Sequence, residues 1–341
     1  MRAMVLNKLA PLHENPHPLE LMSLPVPVLG DRDLLLKVAV CGVCHTELDE
    51  IEGRTPPSKL PLIPGHQVVG TIEQTGREVT HYRNGERVGV AWIYASCGDC
   101  DYCKAGLENL CSHFRATGRD ADGGYAEYMV VPALSVYRIP DIFTDAQAAP
   151  LLCAGAIGYR SLQLSNPASG MRLGLTGFGA SGHLVLKMVR YRFPDIEVYV
   201  FARNPREREF AQELGAVWAG DTAAASPRKL NAIIDTTPVW RPVVEALQNL
   251  APGGRLVINA IRKEDGDKEK LLQLDYAEHL WMEKEIKSVA NICRRDVIEF
   301  LALAKDMQMQ PVVEEFPLEE ANRALYELKT GKIRGAKVLV I

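Results

Sequence analysis

The chain has 341 residues, more than one hydrophobic core usually serves, so two domains are expected. With 47% hydrophobic residues, 24% charged residues and a formal net charge of −4, it has the make-up of an ordinary globular protein. The mildly acidic balance and the lack of a long Lys/Arg run exclude nucleic acid and an anionic membrane as principal partners.

No apolar stretch reaches the roughly 18 residues of a membrane span, and residues 1–18 contain no signal-like segment, which makes the cytoplasm the expected location. From residue 1 to about residue 150, short strand-like runs at 3–7, 34–40, 68–75, 87–92 and 125–131 are broken by Pro and Gly. Strands at this spacing without helices between them predict a compact, partly barrel-like β domain. A thiol (Cys44) and a hydroxyl (Thr46) follow the second run, and an imidazole (His66) precedes the third, in separate turns. A thiolate and an imidazole are two of the three protein ligands of an open zinc site; the third must come from elsewhere.

Next come Cys97, Cys100, Cys103 and Cys111, with two, two and seven residues between them. Four thiolates this close surround one tetrahedral zinc and leave no open position, which marks a structural site. An iron–sulfur cluster also takes four thiolates, but nothing else in the chain suggests electron transfer. Eight cysteines in a chain of this length fit metal thiolates in a reducing compartment better than a disulfide framework.

An Ala- and Leu-rich stretch at 146–164 suits a helix and carries Cys153. Strand-like runs at 172–176, 197–202, 232–235, 255–260 and 286–289 then alternate with helical crossovers at 182–192, 205–214 and 240–250, the signature of a parallel α/β sheet. Helices at 295–307 and 318–329 and a closing strand at 337–341 complete the chain, with no internal repeat.

Directly after the first α/β strand, Gly177, Gly179 and Gly182 stand in G-x-G-x-x-G spacing, with Phe178, Ala180 and Ser181 between them. Such a loop turns tightly, lets backbone N–H groups approach a pyrophosphate and packs its helix close to the strand, so a dinucleotide is expected here. The second strand ends in Ala202 and Arg203 where an NAD site usually carries a carboxylate for the ribose 2′-hydroxyl. A guanidinium suits a 2′-phosphate, and Arg206 and Arg208 stand nearby, so NADP(H) is expected over NAD(H).

Together these motifs resemble the zinc-dependent medium-chain alcohol dehydrogenases over nearly the whole chain. The residues that carry the resemblance are the run 41–46, Gly65 with His66, the four-cysteine lobe, the run 151–155 and the glycine loop. The resemblance implies an α/β protein with a GroES-like β-rich catalytic domain (1–154 and 293–341, structural-zinc lobe 95–113) and a Rossmann doubly wound parallel-sheet cofactor domain (155–292). It implies two zinc ions per chain, the catalytic one held by Cys44, His66 and Cys153; this Cys₂His set is the family's known one, not one inferred from spacing. It also implies hydride transfer between a nicotinamide and a primary alcohol or aldehyde, in a homodimer or homotetramer.

Thr46 is the expected first proton acceptor. The family commonly has Glu after the ligand histidine and Asp after the Thr, where this chain has Gln67 and Glu47. Glu47 remains able to orient His66 through its other ring nitrogen, and Gln67 leaves the zinc surroundings less negative. The histidine that often ends the proton relay is missing, and Asp49 and Glu52 stand in that segment. Trp92 matches a position where bulky aromatics narrow the substrate pocket. Cys41, Cys293 and His183 read as packing residues. The alternatives are an NAD(H)-linked alcohol or polyol dehydrogenase of the same superfamily and, from another class, a non-catalytic NADPH-binding protein.

Overall fold

In the computed structural model, which describes residues 1–331 and 335–341 and all but the side chain of Ala180, one long strand, Asp33–Val43, organises the first of two units. Leu34, Leu36, Val38 and Val40 line one buried face of it, Lys37 on the other face is exposed, and it takes antiparallel partners in Val68–Thr75, Tyr128–Pro132 and Ala336–Val340. The seven-stranded sheet is extended by Arg87–Val90 and Val136–Arg138 on one side and by Val313–Pro317 on the other. Arg2–Leu6 pairs separately with Leu19–Ser23. Met4, Leu6, Leu36, Ile72, Tyr125, Phe316 and Leu325 share one core.

Leu19–Ser23 and Val313–Pro317 were not expected from the sequence. Both are edge strands with mostly exposed residues, so neither carries the alternation of a half-buried strand. The first unit comprises Met1–Cys153 and Ile292–Ile341, and the second comprises Ala154–Asn291.

The second unit is built on six parallel strands. Taken in chain order they are Arg172–Thr176, Glu197–Phe201, Trp218–Gly220, Leu230–Asp235, Leu250–Ile258 and Glu285–Ser288, and their order across the sheet is 3-2-1-4-5-6. That is the Rossmann doubly wound order, which reverses direction between the first and fourth strands. Leu173, Leu175, Val198, Val200, Ile233 and Ile234 are fully buried, as the central strands of a sheet covered on both faces must be. The crossover helices include Ala180–Arg192, Pro205–Glu213 and Arg241–Asn249. The third strand has only three residues, too few to show a periodicity.

The helix expected at 146–164 is interrupted. Asp145–Pro150 is α-helical and capped by Thr144, whose hydroxyl accepts from Gln147 N at 3.2 Å; Leu151–Gly155 is a π turn; Ala156–Leu164 resumes the α-helix. No helix among the described residues is long and apolar enough to cross a membrane.

Candidate functional site

The strand Asp33–Val43 delivers Cys44 in an extended conformation to the start of a short helix, His45–Ile51. The sequence predicts a turn here; the helix escapes notice because it has seven residues and buries Glu47, Asp49 and Glu50, which breaks the amphipathic pattern. As the N-cap residue, Cys44 donates its N–H to Glu47 Oε2 at 2.8 Å, closing a capping box in which a carboxylate serves the helix N-terminus. Two residues into the helix, Thr46 Oγ1 lies 3.6 Å from Cys44 Sγ.

His66 sits just before Val68–Thr75 and is fixed by Gly65, whose φ is +100°. A Cβ on Gly65 would lie 2.4 Å from the Tyr125 ring and 2.8 Å from Cys41 Sγ, so only glycine fits. Cys153 belongs to the π turn Leu151–Gly155, a local rearrangement that recurs at functional sites.

These three residues converge. His66 Nε2 is 3.3 Å from Cys153 Sγ, the two sulfurs are 3.9 Å apart, and all three donor atoms lie within 4.8 Å of one another. Tetrahedral zinc with ordinary bond lengths places sulfur ligands about 3.8 Å apart and sulfur and nitrogen about 3.5 Å apart, so the donor set fits the ion.

The imidazole is also oriented for this role. His66 Nδ1 lies 2.6 Å from Glu47 Oε1, both side chains are fully buried, and neither atom has another partner among the described residues. Burial opposes protonation of His66, but the carboxylate beside Nδ1 and the Cys44 sulfur outweigh it and raise its pKa well above the usual value; a metal at Nε2 would displace the proton there while Nδ1 keeps facing Glu47. Contact with Cys153 draws the Cys44 thiol well below its usual range, and Cys44 pushes Cys153 well above it. A divalent cation removes that asymmetry by binding both as thiolates.

Around this cluster, the buried Trp92 ring meets the His66 ring edge-on at 5.0 Å, and the Arg119 guanidinium lies 5.5 Å over Trp92. Gln67 is buried beside His66. Asp49 is also buried, and its Oδ1 accepts from Arg54 Nε at 2.6 Å. Glu52 pairs with Arg54 and Lys329 and accepts from Leu12 N. Both candidate relay carboxylates are thus held by cations.

In the four-cysteine lobe, Cys97, Cys100, Cys103 and Cys111 offer four sulfurs within 4.8 Å of one another. Backbone N–H groups of Cys97 and His113 point at Cys111 Sγ (3.5 and 3.3 Å), and that of Cys100 points at Cys97 Sγ (3.4 Å), as donors do around thiolates. Cys41 and Cys293 are buried outside both clusters.

In the second unit, the glycine loop joins Arg172–Thr176 to the helix Ala180–Arg192 at the point where the strand order reverses. Gly177 has φ +80°, and a Cβ there would lie 2.7 Å from Thr236 Oγ1, so any side chain is excluded twice over. A Cβ on Gly179 would meet nothing within 4 Å, which leaves open space above the loop. Gly179 caps the helix without a side chain, so its first N–H groups remain available to an anion. Phe178 and Gly182 are buried and Ser181 is half-buried, while the side chain of Ala180 lies outside what is described. His183 Nδ1 donates to Gly179 O at 2.9 Å, holding the turn.

At the end of the second strand Ala202 is buried and Arg203 and Arg206 are exposed. Arg208 is engaged differently: Nη1 donates to Ala202 O (2.9 Å) and Arg203 O (3.1 Å) and faces Asp221 at 3.6 Å. It braces the strand end, which leaves Arg203 and Arg206 as the cations open to a ligand.

Residues 30–141 match the family model of the alcohol dehydrogenase GroES-like domain. The chain is 41% identical over 329 residues to a probable alcohol dehydrogenase, AdhA, of Mycobacterium tuberculosis, covering 95% of this chain and 93% of that protein. The chain belongs to the zinc-type medium-chain alcohol dehydrogenases. An alcohol dehydrogenase of Geobacillus stearothermophilus is 33% identical over 341 residues, covering 97% and 98% of the two chains. Among solved structures, the cinnamyl alcohol dehydrogenase SbCAD4 of Sorghum bicolor superposes with a TM-score of 0.82 at 26% identity, over 99% of this chain and 97% of that one. Alcohol–aldehyde oxidoreduction is the activity these relatives support, which implies a small-molecule alcohol or aldehyde as substrate.

For this dehydrogenase, sequence reasoning missed several groups. Arg54, five residues after Asp49, was visible as a charge of opposite sign. Arg119 carries no local signal; only folding brings it over Trp92. Glu50 is 1% exposed, neither of its oxygens has a partner among the described residues, and burial followed by the Glu47 charge raises its pKa well above the usual carboxylate value.

Proposed function

We propose that this chain is an NADP(H)-dependent zinc alcohol dehydrogenase or aldehyde reductase acting on primary alcohols and aldehydes, with zinc held by Cys44, His66 and Cys153. The observation that carries the reading is the convergence of these three donors, with His66 Nδ1 turned away from them to within 2.6 Å of Glu47 Oε1. A second zinc belongs to Cys97, Cys100, Cys103 and Cys111 and stiffens its lobe. When bound, the catalytic zinc supplies Lewis acidity to a substrate oxygen, and the nicotinamide supplies or accepts the hydride.

The chain's own residues do the rest. Glu47 holds the His66 proton at Nδ1 and ties the same carboxylate to Cys44 N, so two of the three donors are set by one side chain. Thr46 Oγ1, beside Cys44 Sγ, is the group that takes the alcohol proton. Asp49, whose Oδ1 accepts from Arg54 Nε at 2.6 Å, hands that proton outward. Trp92, packed on His66, excludes water and narrows the pocket towards small or linear substrates. Gly177, Phe178, Gly179, Ala180, Ser181 and Gly182 cradle the pyrophosphate, and Ala202, Arg203 and Arg206 favour a 2′-phosphate over a bare ribose.

The same reading assigns residues 1–154 and 293–341 to the catalytic domain, 155–292 to the cofactor domain and 95–113 to the zinc lobe. It also assigns a cytoplasmic location, since six of eight free thiols serve as metal ligands in it, and a homodimer or homotetramer after the family. The test is zinc analysis with initial rates in both directions for NADPH and NADH. Two zincs per chain and a preference for NADPH support the proposal; one zinc or none, or faster turnover with NADH, overturns it.

A further inference from the structure

The carboxyl edge of the parallel sheet carries a buried ion pair that the glycine loop does not use. Asp235, the last residue of Leu230–Asp235, is fully buried, and Lys263, in the segment after Leu250–Ile258, is 6% exposed. Lys263 Nζ donates to Asp235 Oδ2, to Thr237 O (2.7 Å) and to Val239 O (3.0 Å). Asp235 Oδ1 accepts from Thr237 N (3.1 Å) and Thr237 Oγ1 (2.7 Å), and Glu264 N donates to Pro238 O (2.6 Å). One ammonium therefore clamps together the loops that leave two neighbouring strands. A buried pair of this kind is a weak source of stability, since apolar residues of similar volume often do as well, so its use must be sought in what it holds.

What it holds is the rim of the crevice. Thr236, between Asp235 and Thr237, donates its N–H (2.9 Å) and its hydroxyl (3.1 Å) to Thr176 O, and its hydroxyl oxygen is the atom that a Cβ on Gly177 would strike. Ligands of doubly wound sheets bind outside the carboxyl ends of the strands where the order reverses, which here is between Arg172–Thr176 and Leu230–Asp235. The glycine loop takes the pyrophosphate, and the adenosine ribose belongs at the end of Glu197–Phe201, on one side of that point. The other half of a dinucleotide then lies over the ends of Leu230–Asp235 and Leu250–Ile258, on the clamped loops.

Resting on the dinucleotide reading above, we infer that Lys263, acting through Asp235 and the carbonyls of Thr237 and Val239, is a positioning residue for the nicotinamide half of the cofactor. Its action is indirect: it fixes two loops and leaves the adenosine half alone.

The experiment compares the parent enzyme with Lys263→Met and with the charge-neutral pair Asp235→Asn/Lys263→Met, which avoids leaving a lone buried carboxylate. Each is titrated with NADPH and, separately, with the fragment adenosine 2′,5′-bisphosphate, and thermal midpoints are recorded. The expected result for the double variant is NADPH binding weakened at least tenfold and fragment binding within twofold of the parent. Equal weakening of fragment and whole cofactor, or no weakening of either, overturns the inference and leaves the pair a structural element. If Lys263→Met does not fold, the double variant decides alone. A parent enzyme that binds neither NADPH nor the fragment refutes the dinucleotide reading instead, which keeps the two failures apart.

Discussion

Replacing Glu47 with Gln isolates the contact on which the proposed metal centre depends. The two carboxylate oxygens have separate tasks, one facing His66 Nδ1 at 2.6 Å and the other accepting from Cys44 N at 2.8 Å, in a place with no solvent exposure. Glutamine keeps one acceptor oxygen and turns the other into a donor, so one of the two buried N–H groups must face another N–H. Leaving one buried donor unsatisfied costs about 1–3 kcal/mol. At about 1.4 kcal/mol per factor of ten, that weakens the site roughly 5- to 150-fold, in line with the roughly 10- to 100-fold loss typical of partners behind metal ligands. The assay is a chelator competition that follows zinc release, with the four-cysteine site as an internal reference because Glu47 does not touch it. In the variant one zinc is expected to leave at chelator concentrations about 10- to 100-fold lower than in the parent, while the other stays. If both proteins surrender both zincs at the same chelator concentration, the Glu47–His66 contact does not hold the ligand and the argument is refuted.

Three further outcomes follow from the same geometry. Gly177→Ala forces a Cβ into a left-handed conformation that costs about 1–2 kcal/mol, against Thr236 Oγ1 at 2.7 Å; a thermal midpoint lower by several degrees and weaker NADPH fluorescence enhancement are expected, and an unchanged midpoint contradicts the strain. Arg203→Ala removes a charge-assisted contact worth about 1.5–3 kcal/mol, so KM for NADPH is expected to rise at least tenfold while KM for NADH stays within about twofold; parallel changes in both argue against 2′-phosphate recognition. Burial opposes ionisation of Glu52, but hydrogen bonds from Lys329, Leu12 N and Arg54 outweigh it and draw its pKa from the ordinary 4.5 to about 2. The folded state thus releases this proton more readily than the unfolded chain, so the stabilisation is complete above about pH 4.5 and is lost as pH falls towards about 2. Glu52→Gln should flatten the urea midpoint against pH over that window, and an unaltered slope rejects the assignment.

By itself the sequence determined the elements whose information is local. The G-x-G-x-x-G spacing after a strand, the four closely spaced cysteines and the alternation of strand and helix from residue 172 onward are each written within a few consecutive residues, and the fold carries them as expected. Backbone freedom at Gly177 and sulfur spacing in the lobe are properties of the chain before it folds. Only the tertiary structure decided how separate segments met. It made a helix of His45–Ile51, whose buried Glu47 looks wrong in any amphipathic pattern until His66 and Cys44 N arrive to satisfy it. It put a π turn at Leu151–Gly155, stacked Arg119 over Trp92, diverted Arg208 from a ligand to the carbonyls of Ala202 and Arg203, and joined Lys263 to Asp235 across 28 residues. The physical reason is burial: a charged group leaves water at least cost against a partner, and partners distant in the chain are chosen by packing, which no local pattern records.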